Sequence, residues 1–269
     1  MIRAVVAGAA GRMGGCVIRA LKGAEDFELA GAFEAPGHGS EGQDAGAVAG
    51  AGEMGVRIAG GVEQALEGGG DVLIDFTVPA ASVSHLEAAA SRGLAAVVGT
   101  TGFDENQRGA VSRLSGKIRA VVAPNMSVGV NVAIRLVREA ARLLGEDFDV
   151  ELVEAHHHFK KDAPSGTALA LAEAAAEALG RDLSEVGIYG RHGQVGERTH
   201  EEIGVMALRA GDLVGEHWVL FGGVGERIEI VHRAHSRDNF AQGALRAARW
   251  VIDRPPGIYS MADVLGLNA

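Results

Sequence analysis

Residues 2–14 read Ile2-Arg3-Ala4-Val5-Val6-Ala7-Gly8-Ala9-Ala10-Gly11-Arg12-Met13-Gly14. The apolar run up to Ala7 predicts a strand, and the stretch that follows Gly14, as far as Lys22, predicts a helix. Between them, glycines recur at every third position, Gly8, Gly11 and Gly14. A turn of this kind lets backbone amides approach a pyrophosphate, which the helix N-terminus then favours electrostatically. The spacing alone is weak, because 40 of the 269 residues are glycine, roughly twice the usual ~7 %. Its context strengthens it. Phe27 to Phe33 predicts a second strand, and Glu34 closes it 20 residues after Gly14, where a ribose-binding carboxylate belongs. The bland alternative is a Gly-rich turn beside a solvated Glu.

Working outward, 71–76, 95–98 and 118–123 are further short apolar strands, each ending in a polar loop. Thr77-Val78-Pro79 turns the chain into a helix over 80–92, and 36–61 reads mostly as loop. Near-continuous apolar strands alternating with helices imply a parallel sheet covered on both faces. The second half changes character. A strand is expected over 149–155 and an Ala-rich helix over 165–179, stopped by Gly180. Strand-like runs at 204–209, 217–221 and 227–235 follow, with short glycine-bearing links that suit an antiparallel meander. A helix over 239–252 precedes Pro255-Pro256 and is expected to pack back on the first half. The fold expected is α/β: a Rossmann-like, doubly wound parallel sheet in a dinucleotide-binding domain of residues 1–126 plus 237–269. A second α+β domain, 127–236, carries a mixed or antiparallel sheet.

Lys plus Arg is 25 and Asp plus Glu is 35, so the net charge is 25 − 35 = −10. A basic footprint for nucleic acid is absent, and an anionic substrate needs a local positive pocket. The single cysteine, Cys16, excludes an internal disulfide framework and a Cys-rich zinc site; it reads as a small core residue. The longest uncharged run, 120–134, is broken by Pro124, Asn125 and Asn131 and is too short to span a membrane. With no signal-peptide pattern at the N-terminus, a soluble cytoplasmic protein is expected.

Two more loops, Gly99-Thr100-Thr101-Gly102 and Ala123-Pro124-Asn125-Met126, fall at carboxyl ends of predicted strands, the edge where open α/β sheets bind ligands. Ordinary turns are the alternative. The densest polar cluster runs from Glu154 to Thr167: Glu-Ala-His-His-His-Phe-Lys-Lys-Asp-Ala-Pro-Ser-Gly-Thr. A metal site is disfavoured, since neighbouring histidines alternate faces in a strand and no HExxH or distant Cys/His set accompanies them. A solvated basic loop is the bland reading. An anion-binding catalytic loop fits best: His can pass a proton near neutral pH, Lys supplies positive charge, and Ser165-Gly166-Thr167 opening a helix presents amides to a carboxylate.

These residues resemble the 4-hydroxy-tetrahydrodipicolinate reductase (dihydrodipicolinate reductase) family of the lysine and diaminopimelate pathway. The resemblance rests on Gly8 to Gly14, Asp75-Phe-Thr77, Gly99 to Phe103, Asn125 to Asn131, Glu154 to Lys160 and Asp162 to Ala168. It continues through Arg209 to His217 and Ala262 to Leu265. It implies a reductase using NADH and/or NADPH on a small cyclic dicarboxylate. By that resemblance Gly8, Ala9, Ala10, Gly11, Arg12 and Met13 cradle the pyrophosphate and Glu34 holds the adenine ribose. Gly99, Thr100 and Thr101 with Ala123, Pro124, Asn125 and Met126 line the nicotinamide side. His156 is the implied general acid/base and Lys160 a second proton donor, while His157, Gly166 and Thr167 bind substrate carboxylates; no metal is implied. The second domain's sheet is implied to build a homotetramer. Two positions depart from the pattern: Ala35, where Arg often follows the ribose carboxylate, and Phe159, where polar residues are common. A nicotinamide-binding redox regulator without catalysis is the alternative, and it would have no use for His156 and Lys160.

Overall fold

A computed structural model describes residues 1–268. The chain divides into two compact units, Met1–Val128 with the chain from Arg237 onward, and Gly129–Ser236. In the first, β1 (Ile2–Ala7), β2 (Phe27–Phe33), β3 (Ile58–Ala59), β4 (Val72–Asp75), β5 (Ala95–Val98) and β6 (Arg119–Val122) form successive strands. Between them lie α1 (Arg12–Lys22), α2 (Ala45–Val48), α3 (Val62–Ala65), α4 (Pro79–Ser91) and α5 (Glu105–Arg113). The second unit holds α6 (Val128–Leu144), β7 (Asp149–His156), α7 (Gly166–Ala178), α8 (Leu183–Val186) and β8 (Gly187–Ile188). It continues with β9 (Ile203–Arg209), β10 (Gly215–Gly222) and β11 (Arg227–Ala234). The chain then supplies α9 (Asp238–Val251), β12 (Gly257–Tyr259) and α10 (Met261–Leu265) to the first unit.

The seven-stranded sheet runs β3-β2-β1-β4-β5-β6-β12, parallel throughout. Its first six strands have the 3-2-1-4-5-6 order of a dinucleotide-binding sheet, with the switch in direction between β1 and β4. Successive residues of β1 enter opposite cores, which is why the strand is apolar without alternation. Ala4 and Val6 pack with Val17 and Ile18 of α1 and Ala244 and Leu245 of α9. Val5 and Ala7 pack with Leu86 and Ala89 of α4 and Val111 of α5. Fully burying such a Val, Leu or Ile contributes about 1.5–3 kcal/mol. The helix expected at 239–252 is α9, and it does cover the first sheet.

In the second unit the sheet is mixed, ordered β11-β10-β7-β9-β8. β7 alternates strictly: Val150, Leu152, Glu154 and His156 are buried, while their neighbours are half-exposed. The apolar members of that face meet Leu171, Ala172 and Ala175 of α7 and Val137 and Ala141 of α6. α7 forms because it is rich in alanine; Ser165 caps it through the Ala168 amide and Gly180 ends it at φ +69°.

The expected three-strand meander is corrected here. β10 and β11 form an antiparallel hairpin, but β7 lies between β9 and β10, parallel to β9 and antiparallel to β10. The link after β9 wraps the end of β7, with the Ala210 amide donating to the His156 carbonyl and the His157 amide to the Leu213 carbonyl. The glycine-bearing link after β9 therefore serves a crossing over one strand, whereas the one after β10 makes a tight hairpin. α5, α6 and β12 are additions to the sequence reading. The start of α6 lies in the uncharged run 120–134, and the helix's buried Val130, Ala133, Val137 and Ala141 recur at helical spacing.

Candidate active site

At the carboxyl end of β1, Gly8 takes φ +63°, a conformation glycine adopts without strain. A Cβ on Gly14 would lie 2.0 Å from the Gly8 carbonyl oxygen, and one on Gly8 would lie 2.9 Å from Thr77 Cγ2. The turn is thus a tight cradle at the first turn of α1, with the Gly8 carbonyl oxygen against Gly11 and Gly14 and the Thr77 side chain against Gly8. That turn carries no acidic residue, whereas Arg19 and Lys22 sit in the last, a charge order that leaves the N-terminus free for an anion. Glu34 reaches into the loop, one carboxylate oxygen accepting from the Ala10 amide at 2.9 Å. Ala9 is fully buried, and its amide donates to the Phe33 carbonyl at 3.1 Å.

β4 ends on a network across the switch point. Buried Asp75 accepts from the Thr77 amide and hydroxyl, both at 2.7 Å, and its other oxygen pairs with His85 Nδ1 at 2.8 Å. Burial alone would raise the Asp75 carboxyl, yet the contacts with His85 and Thr77 outweigh it and hold the group below the usual range. Thr100 is turned inward, its hydroxyl 2.7 Å from that of Ser82, so Gly99 and Thr101 keep the surface positions of that loop. Met126 is likewise core, with its carbonyl oxygen packed on Gly243. Pro124 is exposed, and the Asn125 side chain accepts from the Ser127 amide.

The second unit's polar cluster closes the buried face of β7. Glu154 is fully buried and accepts four hydrogen bonds: from His156 Nδ1 (2.6 Å), the Ser165 amide (3.0 Å) and two Arg209 nitrogens (2.9 Å each). Burial pushes its carboxyl up, but the bonds from Arg209, His156 and Ser165 together hold it down. His156 is itself pushed down, chiefly by burial, with Lys160 and Arg209 adding to that effect against the pull of Glu154. His217, directly across from Glu154 on β10, stacks edge-on against His156 at 5.4 Å. Burial first, then the neighbouring His156 and His232, lower it to about 3. Lys160 follows a turn closed by its own amide on the His157 carbonyl, and its ammonium donates to both oxygens of Asp162 at 2.8 Å. His157 is half-buried, His158 and Phe159 are exposed, and Gly166 and Thr167 form the first turn of α7.

Residues 2–126 match the family profile "Dihydrodipicolinate reductase, N-terminus" and residues 129–265 match "Dihydrodipicolinate reductase, C-terminus". The chain belongs to the dihydrodipicolinate reductase family. Over the full length of both chains it is 53 % identical to a 4-hydroxy-tetrahydrodipicolinate reductase of Syntrophobacter fumaroxidans and 54 % identical to one of Geobacter metallireducens. A dipicolinate-bound dihydrodipicolinate reductase from Paenisporosarcina sp. TG-14 shares the fold, with a TM-score of 0.78 at 24 % identity over 98 % of each chain. A myo-inositol dehydrogenase from Corynebacterium glutamicum shares it more distantly, with a TM-score of 0.60 at 13 % identity over 100 % of this chain and 94 % of its own. Membership of the dihydrodipicolinate reductase family makes the protein a nicotinamide-dependent reductase, and the non-catalytic regulator is not favoured.

Several residues of the site carry no role in the sequence reading: Asp75, Ser82 and His85 in the first unit, Glu154, Arg209 and His217 in the second; Ser165, expected to present its amide to a substrate carboxylate, donates it to Glu154 instead. A signal existed for two of them. Glu154 stands two residues before His156, on the same face of any strand, and Arg209 opens one of the stretches that carry the family resemblance.

Proposed function

We propose that this protein reduces 4-hydroxy-tetrahydrodipicolinate to tetrahydrodipicolinate, a step in the lysine and diaminopimelate pathway. The observation that carries this reading is the buried carboxylate of Glu154, which holds His156 at the edge of a cluster containing Lys160 and the first turn of α7. The glycine cradle fits a dinucleotide, since side chains are excluded from it by backbone at 2.0–3.0 Å. Gly8 to Met13 would take the pyrophosphate, Glu34 the adenine ribose, and Gly99 to Thr101 with Ala123 to Met126 the nicotinamide end. The bound dinucleotide supplies a hydride.

The remaining chemistry belongs to this chain. His157, Gly166 and Thr167 would hold the carboxylates of the ring, the α7 amides acting as donors. Converting 4-hydroxy-tetrahydrodipicolinate to tetrahydrodipicolinate adds a hydride and a proton to the ring and releases the 4-hydroxyl as water, and the proton would come from His156 Nε2 or Lys160 Nζ. Because burial disfavours the imidazolium, His156 is neutral in the free protein at pH 7. A dianionic ring beside it restores the charge balance under which the imidazole takes a proton. Lys160, held by Asp162 before substrate arrives, exchanges one carboxylate for another.

Glu34 repels a 2′-phosphate and Ala35 offers it no cation, so NADH serves at least as well as NADPH. The outer face of the second sheet bears Leu208, Trp218 and Val231, exposed at 54, 41 and 41 %; a homotetramer built through it covers that surface. A biosynthetic reductase of this kind works in the cytoplasm. The test is turnover with substrate freshly generated from aspartate semialdehyde and pyruvate, followed by nicotinamide absorbance. No substrate-dependent oxidation of NADH or NADPH would overturn the reading.

A further inference from the structure

We propose that Glu154 and Arg209 are a pair of positioning residues for proton transfer: Glu154 fixes the tautomer and aim of His156, and Arg209 sets how strongly the imidazole feels that carboxylate. The inference rests on His156 being the proton donor of the proposed reaction. Each Glu154 oxygen accepts two bonds, one from Arg209 and one from a group of the site. Oε1 takes the Ser165 amide and Arg209 Nη2; Oε2 takes His156 Nδ1 and Arg209 Nη1. All acceptor directions of a fully buried carboxylate are therefore in use. With Glu154 ionised, Nδ1 must carry the imidazole's proton, and Nε2 is left for the reacting ring. A Cβ placed on Gly215 would come within 3.0 Å of Nε2, so the absence of a side chain there keeps that nitrogen unobstructed on the β10 side.

Arg209 adds a second effect. It lies directly across from His156 on β9, and its Nη2 also donates to the Asp162 carbonyl at 2.6 Å, tying the Lys160-bearing loop to the same carboxylate. Its charge cancels that of Glu154, so an imidazolium at position 156 would not meet an uncompensated anion. The groups facing His156 are Glu154 on its own strand, Arg209 on β9, His217 on β10, Lys160 with Asp162 on the following loop, and Ser165 at the start of α7. Only Glu154 among them pulls the proton on; Arg209 and Lys160 push it off.

Two variants separate this pairing from a merely structural ion pair. Glu154→Gln keeps the shape and an acceptor for Nδ1–H but removes the charge. Arg209→Met keeps the carboxylate and removes its counterion. The pair predicts opposite shifts of the His156 titration midpoint, read by imidazole 15N NMR on the intact substrate-free protein: downward for Glu154→Gln, upward for Arg209→Met, and upward by less for Arg209→Lys. The acid limb of the kcat/KM profile should move the same way. With Glu154→Gln, kcat falls at least about tenfold, as expected when a histidine loses the carboxylate that fixes its tautomer, while the NADH dissociation constant stays within about twofold. Should Arg209→Met not fold, Arg209→Lys and Glu154→Gln decide the matter. Unchanged midpoints, shifts in one direction, or an unchanged kcat in Glu154→Gln overturn the proposal. A His156→Gln variant with full activity would instead remove the catalytic reading, while the NMR shifts would still report on the pair.

Discussion

Replacing His217 by Gln should flatten the loss of stability that this protein suffers on mild acidification. The imidazole is 4 % exposed, and its Nδ1 finds no hydrogen-bond partner among the described residues. Ser165 Oγ meets Nε2 at 3.2 Å, and His156 and His232 flank the ring. Burial and these neighbours lower the folded-state value to about 3, against ~6.5 in the unfolded chain. The folded value lies below the unfolded one, so the unfolded chain binds the proton first. Stability is complete above about pH 6.5, declines as pH falls through the window, and is not further affected by this group below about pH 3. At ~1.4 kcal/mol per unit the full span is worth about 5 kcal/mol, and the part between pH 7 and pH 5 about 2 kcal/mol. The buried carboxylates do not confuse that upper window. Asp75 and Glu154 are held below their ordinary values, so their contribution is lost only as pH falls below about 4.5. His156 and His232, both lowered, act in the same direction as His217 but are present in both proteins. The assay is urea unfolding at pH 7, 6 and 5 for the wild type and His217→Gln, comparing midpoints at matched m. The wild type should lose about 2 kcal/mol more than the variant between the ends of that range. Parallel pH dependences would show that His217 titrates as an exposed histidine does, and the argument from its burial would be wrong.

NADH should bind at least as tightly as NADPH at physiological salt, and Ala35→Arg should improve NADPH selectively; a wild-type NADPH dissociation constant well below that for NADH contradicts this. His156→Gln should lower kcat by about 10²–10⁴-fold with little change in cofactor affinity. Lys160→Met should damage both kcat and substrate KM, and His158→Gln, altering an exposed ring, should be mild; steady-state kinetics with a cofactor titration would expose the reverse order. Pyridine-2,6-dicarboxylate should compete with the ring substrate and benzoate-type monoacids should compete far more weakly, because charge-assisted bonds to two carboxylates are the strong ones. Gly14→Ala should weaken dinucleotide binding and cost about 1–3 kcal/mol of stability, since the new methyl would meet the Gly8 carbonyl; calorimetry and thermal melting showing wild-type behaviour would refute the cradle.

The first unit was legible almost strand by strand. β1, β2 and β5 fall where the apolar runs place them, and Gly8, Gly11, Gly14 and Glu34 meet in one loop. Such elements are encoded locally: burial on both faces writes a continuous apolar run, a strand-to-helix turn writes glycines, and neither depends on a distant partner. Ala-rich α7, with its Ser165 cap and Gly180 stop, was readable for the same reason. What the sequence could not determine is pairing across distance. The position of β7 between β9 and β10 depends on which hydrophobic faces meet α6 and α7, and short links are compatible with either a hairpin or a crossing. Glu154 and Arg209 are 55 residues apart, and Ser165 and His217 are 52 apart. Nothing in the local pattern of either partner announces the other. A run of histidines marks a place for proton chemistry, but which imidazole is held, which is neutralised and which is left in solvent follows from the low-dielectric face that the tertiary structure builds around them. There a buried carboxylate must find its donors or cost several kcal/mol, and only the packed fold supplies them.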